Sequence, residues 1–152
     1  MVNGVFFYCD LDFNSTIDMN EQTMNAMSAE DYSALTKLIM VILDEWELSA
    51  TEQLKVLNLP ENTPTRNLRK YRNGQPFPKT AEVFERLEHI VGIFEALRTS
   101  YPHNKQMVMI WMKKCNRHFV TRPPIAVIVE DGLRGLEQVR AHLDCTFDWF
   151  SS

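Results

Sequence analysis

Apolar residues recur at helical spacing along most of this chain, most clearly between Glu82 and Tyr101. Steps of three and four place them in two adjacent stripes, which are Val83, Leu87, Ile90, Phe94, Leu97 and Tyr101 on one and Phe84, Val91 and Ile93 on the other. A helix that is apolar over so much of its circumference must be covered from more than one side. The pattern therefore predicts a central core helix, which Thr80 caps and Pro102 ends.

Capping and turn residues predict three helices before this one. Ser28 with Asp31 and Ser49 with Glu52 have the spacing of capping boxes at helix starts. Asn58 is typical of the left-handed residue that closes a helix. A Thr63–Pro64 pair predicts the start of a third helix, which would end at Gly74.

Three further helices are expected after the central one. The apolar spacing places them at Lys105 to Cys115, at Ile125 to Glu130 and around Leu136 to Leu143, with Gly132 between the last two. Three aromatic residues, Phe147, Trp149 and Phe150, would then lie on a short tail. The chain as a whole is predicted to be all-α.

The first 28 residues have a different pattern. Val5, Phe7, Cys9, Leu11 and Phe13 fall at every second position, like a short strand, but no second run of this kind exists to pair with it, so an isolated extended segment or docking arm is an equal alternative. The stretch from Asp10 to Glu21 also has carboxylates at the positions of a calcium-binding loop, although Ser15 replaces the glycine that such a loop needs. The same residues are explained more simply by a capping box, Ser15 with Asp18, which begins a helix that runs through Met27.

Charge is distributed unevenly along a chain whose net charge is −4. Residues 1–60 contain ten acids and two bases, whereas residues 61–81 contain five bases and one acid. A second basic island, residues 98–122, contains six bases and no acid; they are Arg98, Lys105, Lys113, Lys114, Arg117 and Arg122. Basic islands in an acidic protein indicate localised contact with an anionic partner, and solvated helix faces are the alternative.

The predicted third helix sorts its residues into two faces. Pro64, Leu68 and Tyr71 share one face, and the opposite face carries Arg66, Arg69, Lys70 and Asn73. A short helix, a turn and a second helix with a basic outer face is the pattern of a helix-turn-helix. Because guanidinium groups bond guanine edges and phosphates, these four residues are our candidates for DNA contact.

Other kinds of chemistry find little support in the sequence. Cys115 with His118 and His142 with Cys145 have zinc-ligand spacing, but zinc fingers usually use paired cysteines, so we predict no metal and no cofactor. Neither a serine elbow nor a glycine-rich phosphate loop is present, and we expect a protein that is not an enzyme. Three cysteines cannot all pair, and no apolar run could span a membrane, which favours a cytoplasmic protein.

Residues 80–145 resemble the Xre/MbcA/ParS antitoxin family, the partners of RES-domain toxins. The resemblance rests on ERLEHIVGIFEALRTSYPHN (Glu85 to Asn104) and on a set of later positions, which are Trp111, Asn116, Phe119, Pro124, Gly132, Gly135, Val139 and Leu143. Upstream, Thr63 to Pro78 resembles the helix-turn-helix unit of the family, with Arg69 and Gly74 at matching positions.

The resemblance implies a helix-turn-helix-like unit (29–79) and a small C-terminal toxin-binding domain (80–152). It does not cover residues 1–28, which we assign as an N-terminal extension of unknown role. Such a protein would be the antitoxin of a type II toxin-antitoxin system. It would cover the active site of a toxin that consumes NAD or transfers ADP-ribose, and bind operator DNA as a homodimer for autorepression. From their position we expect toxin contact at Arg134, Arg140, Phe147, Trp149 and Phe150. The alternatives are a free-standing dimeric helix-turn-helix transcription regulator and a calcium-responsive adaptor.

Overall fold

A computed structural model describes residues 21–151, with side chains for residues 22–145. The predicted strand or arm at Val5 to Phe13 and the Ser15 capping box lie outside the described residues. So does the proposed calcium loop from Asp10, apart from Glu21, where the first helix begins.

The described residues form an all-α fold, as the periodicity predicts. A 3₁₀ turn at Arg117–Phe119 and an isolated β-bridge between Asn116 and Arg122 are the other regular features of this part of the chain. The helices are α1 (Glu21–Ala26), α2 (Ala29–Glu45), α3 (Ala50–Leu57), α4 (Asn67–Arg72), α5 (Ala81–Ser100), α6 (Lys105–Lys113), α7 (Pro124–Asp131) and α8 (Leu133–Ser151). Among these residues no helix combines the length and the apolarity that crossing a bilayer requires.

Helix α5 is the centre of the fold. It packs against α2, α3, α6 and α8, and both of its predicted stripes contribute to one continuous hydrophobic core. Leu87, Ile90 and Ile93 are completely buried. The Thr80 side chain accepts a hydrogen bond from the Val83 amide at 3.3 Å, so the predicted N-cap is confirmed.

Local capping signals account for the helices around α5. Ser49 and Glu52 form a complete capping box, in which the Ser49 amide donates to the Glu52 carboxylate at 2.7 Å. Ser28 caps α2 through the Asp31 amide, but the Asp31 carboxylate accepts from the Ser28 hydroxyl instead of from its amide. Asn58 is left-handed, with φ of 54°, as predicted.

Two predicted helix boundaries are wrong. Helix α4 begins at Asn67 and not at the Thr63–Pro64 pair, because Pro64 to Leu68 wind through i to i+3 hydrogen bonds, and the Thr63 amide donates back to Pro60. Nine residues thus separate α3 from α4, more than the usual helix-turn-helix connection. The last helix also continues through Ser151, since no glycine or proline follows Gly135, so the three terminal aromatics lie within it.

Glycine allows α7 and α8 to approach each other closely. A Cβ atom on Gly135 would overlap the Val127 carbonyl group of α7. Gly132, with φ of 62°, makes the turn between the two helices. The close approach brings the completely buried Val127, Leu136 and Val139 into the core around α5.

Candidate nucleic-acid and protein-binding surfaces

Helix α4 presents its basic residues because its apolar residues hold it on α2. Leu68 and Tyr71 are buried, and the Tyr71 ring lies 4.8 Å from that of Phe77. After α4, the Ser33 hydroxyl of α2 donates to the Gly74 carbonyl at 2.5 Å. Contacts at both ends thus fix which side of this short helix faces solvent.

An arginine adds a polar link between α4 and α2. Arg72 donates from Nε to Asp44 Oδ2 at 2.9 Å and from an Nη atom to Asp44 Oδ1 at 2.8 Å. The same guanidinium donates to Gln53 Oε1 at 3.2 Å, and the buried Gln53 amide donates to Asp44. The Arg72 hydrogen bond, followed by that of Gln53, holds the pKa of Asp44 below its ordinary value despite partial burial. Arg72 is therefore a structural residue of the first basic island.

The four predicted DNA-contact residues are all exposed. They are Arg66, Arg69, Lys70 and Asn73. Within the described residues, no carboxylate forms an ion pair with any of the three bases. We call Arg66, Arg69, Lys70 and Asn73 the α4 basic face. It can offer two guanidinium groups and one ammonium to an anionic ligand without first breaking an ion pair to a described residue.

The second basic island differs, because most of its bases have acidic partners. Lys113 pairs with Glu47, Lys105 lies 3.8 Å from Glu45, and Arg98 pairs with Glu95. Arg122 bonds both Glu130 and Asp131, and it holds the pKa of Asp131 below its ordinary value. Lys114 and Arg117 are exposed and have no ion pair among the described residues. Four of the six bases of this island are therefore neutralised by nearby acids, most of them on other helices or loops.

The predicted toxin-contact residues have unequal environments. Arg140 extends from α8 over Gly92 of α5, where it lies 3.5 Å from Glu88 and 3.3 Å from His89 Nδ1. By contrast, Arg134 is exposed. Phe147, Trp149 and Phe150 lie within α8, beyond the last described side chain. Of the five, Arg140 contributes visibly to the packing of α8 on α5.

A cluster of metal-ligand type lies beside Arg140. Within the described part of the chain, Glu85, His89 and Glu137 are the one group of at least three such residues whose ligand atoms all lie within 4.8 Å of one another. Burial, followed by the Arg140 charge, lowers the pKa of His89, so this half-buried imidazole is neutral near pH 7. Because Arg140 donates to Nδ1, the neutral ring carries its proton on Nε2 and has no second lone pair for a metal. The arrangement favours a polar network between α5 and α8.

Sequence reasoning missed this cluster. Glu85 and His89 are four residues apart on one helix, which places them on the same side, and that spacing was the available signal. Glu137 joins them only through the packing of α8 on α5. His89 is a half-buried, hydrogen-bonded residue at the edge of the core.

The two cysteine-histidine pairs meet through their histidines. The His118 and His142 rings lie 4.4 Å apart, and Trp111 stacks on His142 at 6.4 Å. Cys115 and Cys145 are exposed free thiols. No set of three ligand atoms from these four residues is close enough for a shared metal. Burial, followed by the charge of His118, lowers the pKa of His142.

The loop that carries His118 also has unusual backbone geometry. Val120 and Thr121 both adopt left-handed conformations, with φ of 56° and 62°. Such conformations are strained for β-branched residues. The Val120 side chain is 81% exposed, the highest value among the large hydrophobic residues exposed on the described surface. The loop thus projects an apolar residue beside the unpaired bases Lys114 and Arg117.

No protein-family model matches this chain. The chain is similar to a protein of Sinorhizobium fredii that is named uncharacterized protein y4oB. The two are 28% identical over 103 residues, which cover 68% of this chain and 76% of that protein. This name states no activity, substrate or partner.

Proposed function

We propose that this protein is an antitoxin that neutralises a RES-domain toxin and binds operator DNA. The observation that carries the DNA-binding half is the α4 basic face, where Arg66, Arg69 and Lys70 are exposed and form no ion pair with any other residue that the structure describes. Phosphate contact by such groups releases counterions, and a guanidinium can also read a guanine edge. The internal pairing of the second island favours α4 over it as the DNA surface.

Support for the toxin-binding half comes from the sequence resemblance of residues 80–145. The all-α fold agrees with what that resemblance implies. Arg134 is the best available candidate for direct contact, since it is exposed on α8. Arg140 keeps about a quarter of its side chain exposed beside Glu88, so its contact with a partner would come in addition to its packing role.

DNA binding is tested with the upstream region of the native gene in a fluorescence anisotropy assay. The triple variant R66A/R69A/K70A is expected to bind much more weakly. The salt dependence of log K should also become less steep, by about one unit for each phosphate that the variant no longer neutralises. The matched control is K114A/R117A, which removes two exposed, unpaired bases of the second island. If the control loses as much affinity as the triple variant, or the triple variant loses none, DNA contact by α4 is wrong.

The antitoxin half is tested by co-expression with a RES-domain protein encoded beside the gene. That protein should arrest growth alone, and co-expression should restore growth. We expect Arg134→Glu to weaken the rescue without changing DNA affinity, because α8 packs mainly on α5 and α7 whereas α4 packs mainly on α2. DNA binding without any toxic neighbour would favour the free-standing regulator, which shares the α4 basic face.

A further inference from the structure

One side of α6 and the loop that follows it expose apolar side chains. Of the four large hydrophobic residues that the described surface exposes, three are here, and their exposed fractions are 37% for Met107, 54% for Ile110 and 81% for Val120. Met107 and Ile110 are three residues apart and share one face of α6. The Lys114 amide donates to the Ile110 carbonyl at 2.9 Å, one turn further along. We call Met107, Ile110, Lys114, Arg117 and Val120 the α6 outer stripe.

Hydrogen bonds and one buried ring hold Val120 in place. Its neighbour Phe119 is buried in the core. The Val120 amide donates to the Arg117 carbonyl at 3.2 Å, and the Thr121 amide donates to the Asn116 carbonyl at 3.1 Å. A side chain displayed on a fixed loop loses little conformational freedom when a partner covers it. The loop is therefore pre-organised for binding.

The residue types in this loop are unfavourable for its backbone. Val120 and Thr121 are both left-handed, a conformation that glycine adopts without strain. Glycine in place of Val120 would relieve strain but remove the apolar side chain that the loop exposes. A strained residue that presents an apolar group to solvent is typical of a site that contacts a partner.

Both bases of the stripe have free charge. Lys114 and Arg117 are exposed and form no ion pair with any acid in the described part of the chain. Apolar side chains beside unpaired cations match a partner surface on which carboxylates border an apolar centre. Methionine and arginine, both present in the stripe, are also enriched in protein interfaces.

This composition favours a protein over other anionic partners. Attachment to an anionic membrane usually requires a cluster of about four to eight bases, and the stripe has two. Surfaces that bind DNA are strongly basic, and exposed aliphatic side chains such as Ile110 and Val120 make no contact with phosphate charge.

We propose that the α6 outer stripe binds an acidic amphipathic helix of a partner protein. The apolar side of that helix covers Ile110 and Val120, and its carboxylates pair with Lys114 and Arg117. A helix is the expected shape because the stripe runs along α6, and helices pack side by side through such faces. The stripe is separate from the α4 basic face and from Arg134, so this assignment does not depend on the antitoxin proposal.

The probes are two fluorescent helical peptides with the same leucine face, flanked in one by glutamate and in the other by glutamine. Binding to the full-length protein is followed by fluorescence anisotropy. We expect the glutamate peptide to bind about tenfold more tightly. Because the protein has a net charge of −4, its overall charge opposes this peptide, and a preference for it reports local contact with bases.

Two matched pairs of substitutions locate the site by charge. K114A/R117A should lower the affinity for the glutamate peptide by about tenfold and leave that for the glutamine peptide nearly unchanged. The control is R69A/K70A, which removes one exposed arginine and one exposed lysine from α4 and should keep the affinity of the parent.

Variants of Val120 separate binding from folding. V120G should bind the glutamate peptide about tenfold more weakly although it relieves backbone strain, so that the loss cannot be ascribed to unfolding. V120N should lose as much, since asparagine also tolerates the left-handed conformation. The control V41S removes the exposed valine of an apolar groove between α2, α5 and α6, whose volume is about 460 Å³, and should bind like the parent.

Equal affinities for the two peptides, or no detectable binding of either, would overturn the proposal. So would parent-like binding by V120G, or an equal loss in V41S. If V120G weakens binding to phosphatidylserine vesicles or to duplex DNA and leaves peptide binding unchanged, the stripe serves a membrane or a nucleic acid instead. A dimer that V120G dissociates in analytical ultracentrifugation would assign the stripe to a second copy of this chain, and the proposal would again be wrong.

Discussion

Arg72 of α4 and Asp44 of α2 form a two-pronged ion pair, with N to O distances of 2.8 and 2.9 Å, across 28 positions of the chain. The pair separates two roles within one basic island. Arg72 holds α4 on α2, and its neighbours Arg69 and Lys70 stay available to solvent.

Removal of this link should destabilise the protein without removing a DNA-contact group. Because both side chains are about 40% exposed, solvent screening limits the effect, and we expect R72A to lower the free energy of unfolding by about 1 kcal/mol. Arg69→Ala, on the same helix, should change it by less than about 0.5 kcal/mol. Urea denaturation measures both. Equal losses would mean that the ion pair does not stabilise α4.

Gly135 should be far less tolerant of substitution than Gly92. An alanine at Gly135 would push against the Val127 backbone, which cannot move without separating α7 from α8. We expect G135A to cost about 3 kcal/mol. At Gly92 the new methyl group would meet only the end of the Arg140 side chain, and alanine favours a helix, so G92A should stay within about 1 kcal/mol of the parent. Thermal unfolding distinguishes them, and similar midpoints would contradict the close approach of α7 and α8.

Replacing Val120 with glycine should stabilise the protein. Glycine relieves the left-handed strain, and we expect V120G to raise the free energy of unfolding by about 1 kcal/mol. The same change at Val41, in the middle of α2, should lower it by about 1 kcal/mol, because glycine is unfavourable in a helix and part of the side chain is buried. Chemical denaturation of both variants checks the opposite signs. A loss in V120G would show that the loop is unstrained.

Stability should fall with acidification through the titration range of histidine. The pKa of His142 is lower in the fold than its ordinary value of about 6.5, so below that pH the unfolded chain binds more protons than the folded one. This stability is lost as the pH falls through the interval between the ordinary pKa and the lower pKa of the folded state, and the contribution is constant above and below that interval. Melting temperatures between pH 5 and pH 8 should decline less in H142Q than in the parent. Parallel curves would exclude His142 as a source, and H89Q tests the second histidine whose pKa is lowered.

Much of the α4 basic face could be predicted from helical spacing, because Leu68 and Tyr71 define the buried side of any helix that contains them. The structural role of Arg72 had a signal as well, since it follows Leu68 by four residues and so lies near the same side. No feature of the sequence indicated that Asp44 would be the partner of Arg72. Asp44 is one of several acids in the first half of the chain, and nothing local distinguishes it from Glu45 or Glu47.

The sequence by itself determined the elements whose causes act over a few residues. Thr80, Ser49 and Asn58 mark helix ends through hydrogen bonds and backbone geometry within one turn, and the stripes of α5 follow from helical spacing. The start of α4 was missed because turns with i to i+3 bonds compete closely with an α-helical first turn at Pro64.

Only the tertiary structure decided which charges are free and which are paired. Lys113 meets Glu47 across 66 positions, and Arg140 reaches α5 through space that Gly92 leaves open. Such pairs depend on the distances between helices, which are set by the packing of apolar faces and not by charge order along the chain. The same packing creates the groove beside Val41 and joins Glu137 to His89.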